Sequence, residues 1–178
     1  KAIEIDPQFA MAYRDLGLRQ FDSRGDYASQ ERLADMARYL RKALELSDRV
    51  SERERYVIQA SYFRNVEKDV DKELQAYKDL LKIYPDDYLG NSNIIIIYQA
   101  RADYANALKH CEFLYERDRT SRQLTLQLAG IYRKVGAVEK ALEVYRYYFE
   151  NQWNGDLPLR QAYYDALWRS GDFKAALK

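Results

Sequence analysis

Internal disulfides, soft-ligand metal sites and membrane-spanning helices all lack the residues they need in this chain. Cys111 is the one cysteine among 178 residues, and His110 beside it is the one histidine. A lone thiol closes no internal bridge, and no second thiol or imidazole completes a coordination shell. Seven glycines and three prolines are low counts, and with 47% hydrophobic residues they point to a helix-rich segment. The longest apolar run, residues 94–98, falls far short of the about 18 residues that a transmembrane helix needs. With 29 basic and 28 acidic side chains the net charge is +1, so no global field steers the chain onto nucleic acid or an acidic membrane surface. Nothing at Lys1 has the pattern of a secretory leader, and the chain begins and ends in mid-pattern, as a fragment would. The compartment stays open.

What is present is a period. Gly136-Ala137-Val138-Glu139-Lys140-Ala141-Leu142 aligns with Gly171-Asp172-Phe173-Lys174-Ala175-Ala176-Leu177, and with Ala102-Asp103-Tyr104-Ala105-Asn106-Ala107-Leu108 upstream. Alanines 107, 141 and 176 stand 34 and 35 residues apart. A spacing of that size, filled by helix, turn and helix, describes a solenoid whose units bury their apolar faces only against neighbours. Function is then expected on a shared surface and not in a catalytic pocket.

The period divides the chain into units at 8–50, 51–85, 86–119 and 120–154, with partial units at 1–7 and 155–178, all in one solenoid over 1–178. In 86–119, Ile94, Tyr98, Tyr104, Ala107, Cys111 and Leu114 recur at helical spacing; in 120–154, Leu128, Tyr132, Val138, Ala141, Tyr145 and Tyr148 take the same places. Small residues at 107 and 141 let helices approach closely. Ser51 and Glu54 have the spacing of a capping box, and Asp69 or Asp71 opens the next helix, which ends before Pro85. Asp6-Pro7 closes a helix at the start, and Pro158 suits a first helical turn. From Gly17 to Ala43 there are about seven residues more than the other units need, lengthening either the turn after Ser23-Arg24-Gly25-Asp26-Tyr27 or the second helix. Residues 94–97, four isoleucines, favour a strand in isolation, but the period assigns them to a first helix.

These positions resemble the tetratricopeptide repeat family. Tyr13, Leu16 and Gly17 look like its first-helix trio, Tyr98 and Tyr132 like its later tyrosine, and Pro7 and Pro85 like its closing proline. Ile95 and Tyr164 stand where a small residue is usual, and Arg119 replaces a proline. The resemblance implies an all-α, right-handed superhelix of antiparallel helix pairs whose first helices line the inner wall. Residues 42–56, with 84–87 and 91–93, also look like the repeat region attached to some bacterial serine/threonine protein kinases. That implies an interaction segment of a larger signalling protein, or a self-associating regulatory module, and not a kinase. No glycine-rich nucleotide loop, His-Arg-Asp or Asp-Phe-Gly occurs in the chain.

Other constellations favour ordinary structural roles. Cys111 takes the place of Tyr145 in the next unit and is expected in the core, with His110 turned to solvent. The carboxylates between Glu67 and Glu73 alternate with lysine and lack calcium-loop spacing, so they are expected on a solvated turn. Gly130 and Gly136 enclose no phosphate-loop sequence. Arg117, Arg119, Arg122, Arg133 and Lys134 interleave with Glu116 and Asp118, as a mixed solvated face does.

The 17 tyrosines are the compositional excess. Those on the repeat skeleton fill space between helices; Tyr62, Tyr88, Tyr163 and Tyr164, with Trp168, fall on or near first helices, where rigid amphipathic rings suit a peptide groove or extra packing. Family members that grip an acidic chaperone terminus use a lysine and an asparagine on one first helix, an asparagine on the next, and a lysine and an arginine on the third. The corresponding register here gives Ile58 and Tyr62, then Asn93, then Gln123 and Gln127, so a different ligand, met by amides and aromatics, is expected. By helix position the groove residues are Arg14, Tyr62, Asn93, Gln127, Arg133 and Trp168. No cofactor, metal, nucleic acid or membrane insertion is expected; the partner is a protein or peptide, with a homodimer through exposed apolar ends as the competing expectation.

Overall fold

A computed structural model describes residues 2–19, 30–151 and 157–171. Ten α-helices account for most of them: α1 (Ala2–Ile5), α2 (Ala10–Arg19), α3 (Gln30–Glu45), α4 (Glu52–Tyr62), α5 (Val70–Ile83), α6 (Tyr88–Ala100), α7 (Tyr104–Tyr115), α8 (Arg122–Lys134), α9 (Val138–Asn151) and α10 (Leu157–Ser170). No strand occurs among the described residues. Two compact units divide the chain, Lys1–Gly90 and Asn91–Lys178. The turn expected at residues 23–27, the start of the last unit near Gly155, and Asp172 to Leu177 of the third aligned motif lie outside the described residues.

In the first unit, α1 stops where expected: the Gln8 amide donates to the Asp6 carboxylate at 2.8 Å, and Pro7 has no N–H to extend the helix. Gly17 lets α2 meet α3, since a Cβ there would sit 3.0 Å from Leu40 Cγ and 3.3 Å from the Met36 carbonyl oxygen. Part of the extra length before Ala43 is helix, because α3 has 16 residues against 14 in α5 and 12 in α7. Ala10, Ala43 and Ile58 pack together, fully buried. The capping box forms at Ser51, whose Oγ accepts from the Glu54 amide while the Glu54 carboxylate accepts from the Ser51 amide. A π-helical turn (Phe63–Glu67) ends the helix pair's first member, and Asp69 caps α5 by accepting from the amides of Asp71 and Lys72.

One expectation fails here. Glu73 is not on a solvated turn: it is buried, with its carboxylate 3.4 Å from the Arg64 guanidinium. The cap at Asp69 sets the rotational phase of α5, and one turn later that phase points residue 73 inward, where a paired charge is tolerable. Asp87 is buried likewise, held by Arg53 at 2.6 Å, and its other oxygen accepts from the Gly90 amide at 2.7 Å to start α6.

Residues 94–97 are helical, as the period requires. Ile94, Ile95 and Ile97 are buried and Ile96 is exposed. Burying three isoleucines at about 1.5–3 kcal/mol each outweighs a β-branched helix penalty of about half a kcal/mol apiece. In the second unit Ala107, Cys111, Ala129, Ala141, Leu142 and Tyr145 share one core with Ile95 and Leu128. The aligned turn positions Ala102, Gly136 and Gly171 all have left-handed φ, at 56°, 78° and 84°. The backbone closes alike at the first two, Asp103 N–H to the Tyr98 carbonyl and Ala137 N–H to the Tyr132 carbonyl, both at 2.9 Å. The period is therefore conformational as well as compositional, and Ala102 fills a place made for glycine.

Candidate functional site

The first helices of the first unit, α2 and α4, are joined by Arg14. Its Nε donates to Ser61 Oγ at 2.9 Å and its Nη1 to Asp15 at 2.9 Å. Ser61 in turn donates to the Val57 carbonyl at 2.8 Å, so its hydroxyl is satisfied in both directions. Arg14 also acts on the Tyr77 hydroxyl, whose pKa burial pushes up to about 12; Glu73 adds to that rise, and Arg14 and Arg64 oppose it. Of the expected groove residues, Arg14 is thus largely committed to holding helices together. Tyr62 is half-buried, its ring 5.9 Å from that of Phe63. Ile58, the other position in the chaperone-clamp register, is fully buried and cannot meet a ligand, because α4 turns that face onto Ala10 and Ala43.

In the second unit the first helices are α6, α8 and α10. Asn93 is half-buried on α6. Gln127 on α8 is half-buried too, and its Nε2 donates to Gln99 Oε1 of α6 at 3.3 Å. Between these lie two features not foreseen from the sequence. Ile96 is an exposed apolar side chain on α6, and Gly130 on α8 leaves open space, with no heavy atom within 4 Å of where a Cβ would be. Four consecutive isoleucines step about 100° each around a helix, so one of them facing outward was readable from the run itself. Arg133 is half-buried and hydrogen-bonds the Tyr145 hydroxyl, opposing the upward pull of burial on that phenol. Trp168, on α10, is 59% exposed. Of the six expected residues, Arg14 and Tyr62 belong to the first unit, and Asn93, Gln127, Arg133 and Trp168 to the second.

His110 is not turned to solvent as expected. It is half-buried, its Nδ1 lies 2.8 Å from Asn91 Oδ1, and its ring stacks on Tyr98 at 6.2 Å. A buried amide 19 residues upstream supplies the polar partner, which the spacing on α7 alone could not reveal. Cys111 is in the core as expected, with its thiol pushed up to about 12 by burial and, secondarily, by Glu112. Among the described residues no group of three or more His, Cys, Asp or Glu is placed to hold a metal ion, and no helix is long and apolar enough to cross a membrane.

Paired antiparallel helices with a repeated left-handed turn and small residues at the crossings define a helical-repeat protein. No family model matches the sequence, and no curated protein matches it. Solved structures do match. MamA from Desulfovibrio magneticus is 16% identical with a TM-score of 0.68, over 94% of this chain and 89% of that one. A tetratricopeptide repeat protein from Parabacteroides merdae is 18% identical with a TM-score of 0.65, over 99% of this chain and 66% of that one. A chain of the Naa15/Naa10 complex bound to HypK-THB is 19% identical with a TM-score of 0.56, over 99% of this chain and 26% of that one. At these identities the likeness shows the fold, which is all-α and of the tetratricopeptide-repeat type.

Proposed function

We propose that this chain is a non-catalytic protein-interaction segment that holds a peptide on the open first-helix face of its second unit. The observation that carries this reading is the α6–α8 face: a linked amide pair, Gln99 and Gln127, beside exposed Ile96 and the notch at Gly130. Amides there serve the N–H and C=O groups of an extended peptide, and the notch gives room for a side chain. Asn93 and Trp168 extend the same kind of chemistry along α6 and α10. One similar chain comes from an assembly, Naa15/Naa10 bound to HypK-THB, which supports a protein partner. The sequence likeness of residues 42–56 supports placing the segment in a bacterial signalling protein, such as one bearing a serine/threonine kinase domain.

The test is selection of a random linear peptide library on the chain. Selected peptides are expected to lose about tenfold in affinity, near 1.4 kcal/mol, on Gln127→Ala and on Gly130→Leu. Peptides that bind these variants as well as the parent chain refute the reading. Self-association is the second reading, favoured by Ile5 and Phe9, exposed at 85% and 45%; Phe9 lines a hollow with Ile3, Ala12 and Leu16, flanked by the charged Asp15 and Arg19. Light scattering over a concentration series distinguishes it: a dimer abolished by Phe9→Ser supports association through that end.

A further inference from the structure

Within the second unit α7, α8 and α9 enclose a cleft of about 540 Å³, separate from the amide-rich face of α6 and α8. That volume lies in the range of about 300–1,000 Å³ typical of ligand sites. Its floor is Leu128 and Tyr132 of α8; one wall is the end of α7 and the turn after it, and the other is α9. Tyr115 lines it and is 94% buried, yet its hydroxyl has no hydrogen-bond partner among the described residues. Buried hydroxyls are rarely left so in folded proteins, and such a group marks a place where a partner atom belongs. The charged and phenolic groups acting on that hydroxyl are Arg119, Tyr147 and Glu116, all members of the same cleft.

The charge pattern selects the ligand. Glu112 accepts a 2.6 Å hydrogen bond from the Tyr132 hydroxyl, and Glu116 pairs with Arg119. Glu143, exposed on α9, makes no ion pair among the described residues. Three carboxylates thus face two cations, leaving one negative charge uncompensated. The rings are already arranged to receive positive charge: Lys140 Nζ lies 5.5 Å from the Tyr132 ring centroid, and the Arg119 guanidinium carbon 5.5 Å from that of Tyr147. A planar guanidinium satisfies all three features together, stacking on tyrosine, pairing with a carboxylate through a two-pronged hydrogen bond, and donating an N–H to a phenolic oxygen.

We propose that this cleft is a docking pocket for an arginine side chain of a partner protein, with Glu143 as the pairing carboxylate and Tyr115 Oη as the neutral acceptor. It is a second surface, and it stands whether or not a peptide occupies the α6–α8 face. The probe is an acetylated, amidated diarginine peptide titrated into the full chain carrying ring-¹³C tyrosine, followed by NMR. Saturable shifts are expected for Tyr115, Tyr132 and Tyr147, and none of comparable size for the citrulline counterpart, which keeps the shape and removes the charge. Glu143→Gln, at an exposed position that leaves the fold intact, is expected to weaken binding about tenfold. Tyr115→Phe is expected to weaken it while raising the thermal midpoint, because the substitution removes an unsatisfied buried hydroxyl. Gln127→Ala is expected to leave it unchanged, which separates failure here from failure of the peptide-face reading. Equal shifts with citrulline, unchanged affinity in Glu143→Gln, or preferential binding of a diaspartate peptide through Arg119 and Lys140 would overturn the proposal.

Discussion

Cys111 reports on the core of the second unit more directly than any other residue, because it is the single thiol and no other signal competes with it. The side chain is fully buried among Ala107, Leu128 and Ala141, and its pKa rises from 9.0 to about 12, through burial first and Glu112 second. Thiolate is the reactive form. At pH 8, a pKa of 12 in place of 9 lowers the thiolate fraction about a thousandfold, and burial blocks the reagent until the helices open. Labelling with a disulfide reagent in native buffer is therefore expected to run at least about a thousandfold slower than in denaturant. Adding urea below the unfolding midpoint should accelerate it in proportion to the population opened, so the same experiment measures the opening free energy of α7 against α8 and α9. A native rate within about tenfold of the denatured rate refutes the packing described here and makes Cys111 an accessible, reactive thiol.

Three further outcomes follow from local geometry. Ala102→Gly relieves a left-handed backbone at φ 56° and is expected to stabilise by about half to 1 kcal/mol in urea denaturation; a loss of stability shows that the turn is not strained. The same glycine-to-alanine change has opposite expected signs at two helical sites. Gly130→Ala meets open space and gains about 0.5–1 kcal/mol, whereas Gly17→Ala places a methyl 3.0 Å from Leu40 and 3.3 Å from a backbone oxygen and loses about 1 kcal/mol or more. Equal shifts in denaturation midpoint contradict the close approach of α2 to α3. Alkaline pH destabilises: Tyr77 and Cys111 have folded pKa values of about 12 against ordinary values of 10.0 and 9.0. The unfolded chain therefore releases these protons first, and stability present below pH 9 is lost as pH rises toward 12. Tyr77→Phe should remove part of that slope, worth about 2–3 kcal/mol at most, and an unchanged slope refutes the burial argument.

Helix positions, caps and crossings were legible because they are local or periodic. The 34-residue recurrence placed Ala107, Ala141 and Cys111 in a core, and assigned residues 94–97 to a helix against their intrinsic preference. Ser51 and Asp69 announced their helices by side-chain chemistry within three residues. The repeat spacing even carries one long-range pair, since Arg53 and Asp87 are 34 residues apart. What could not be read concerns where side chains from different helices meet. Arg14 with Ser61, His110 with Asn91, and the burial of Glu73 depend on the rotational phase and crossing of helices 9 to 47 residues apart. The same holds for the cleft. Glu112, Tyr115 and Glu116 share one face of α7, and Lys140, Glu143 and Val144 have the same spacing on α9, but nothing in the chain says that these faces meet until α7, α8 and α9 are set side by side. A one-dimensional pattern states which residues share a helix face; only packing decides which faces oppose each other, which hydroxyl is left without a partner, and which carboxylate is left to meet a ligand.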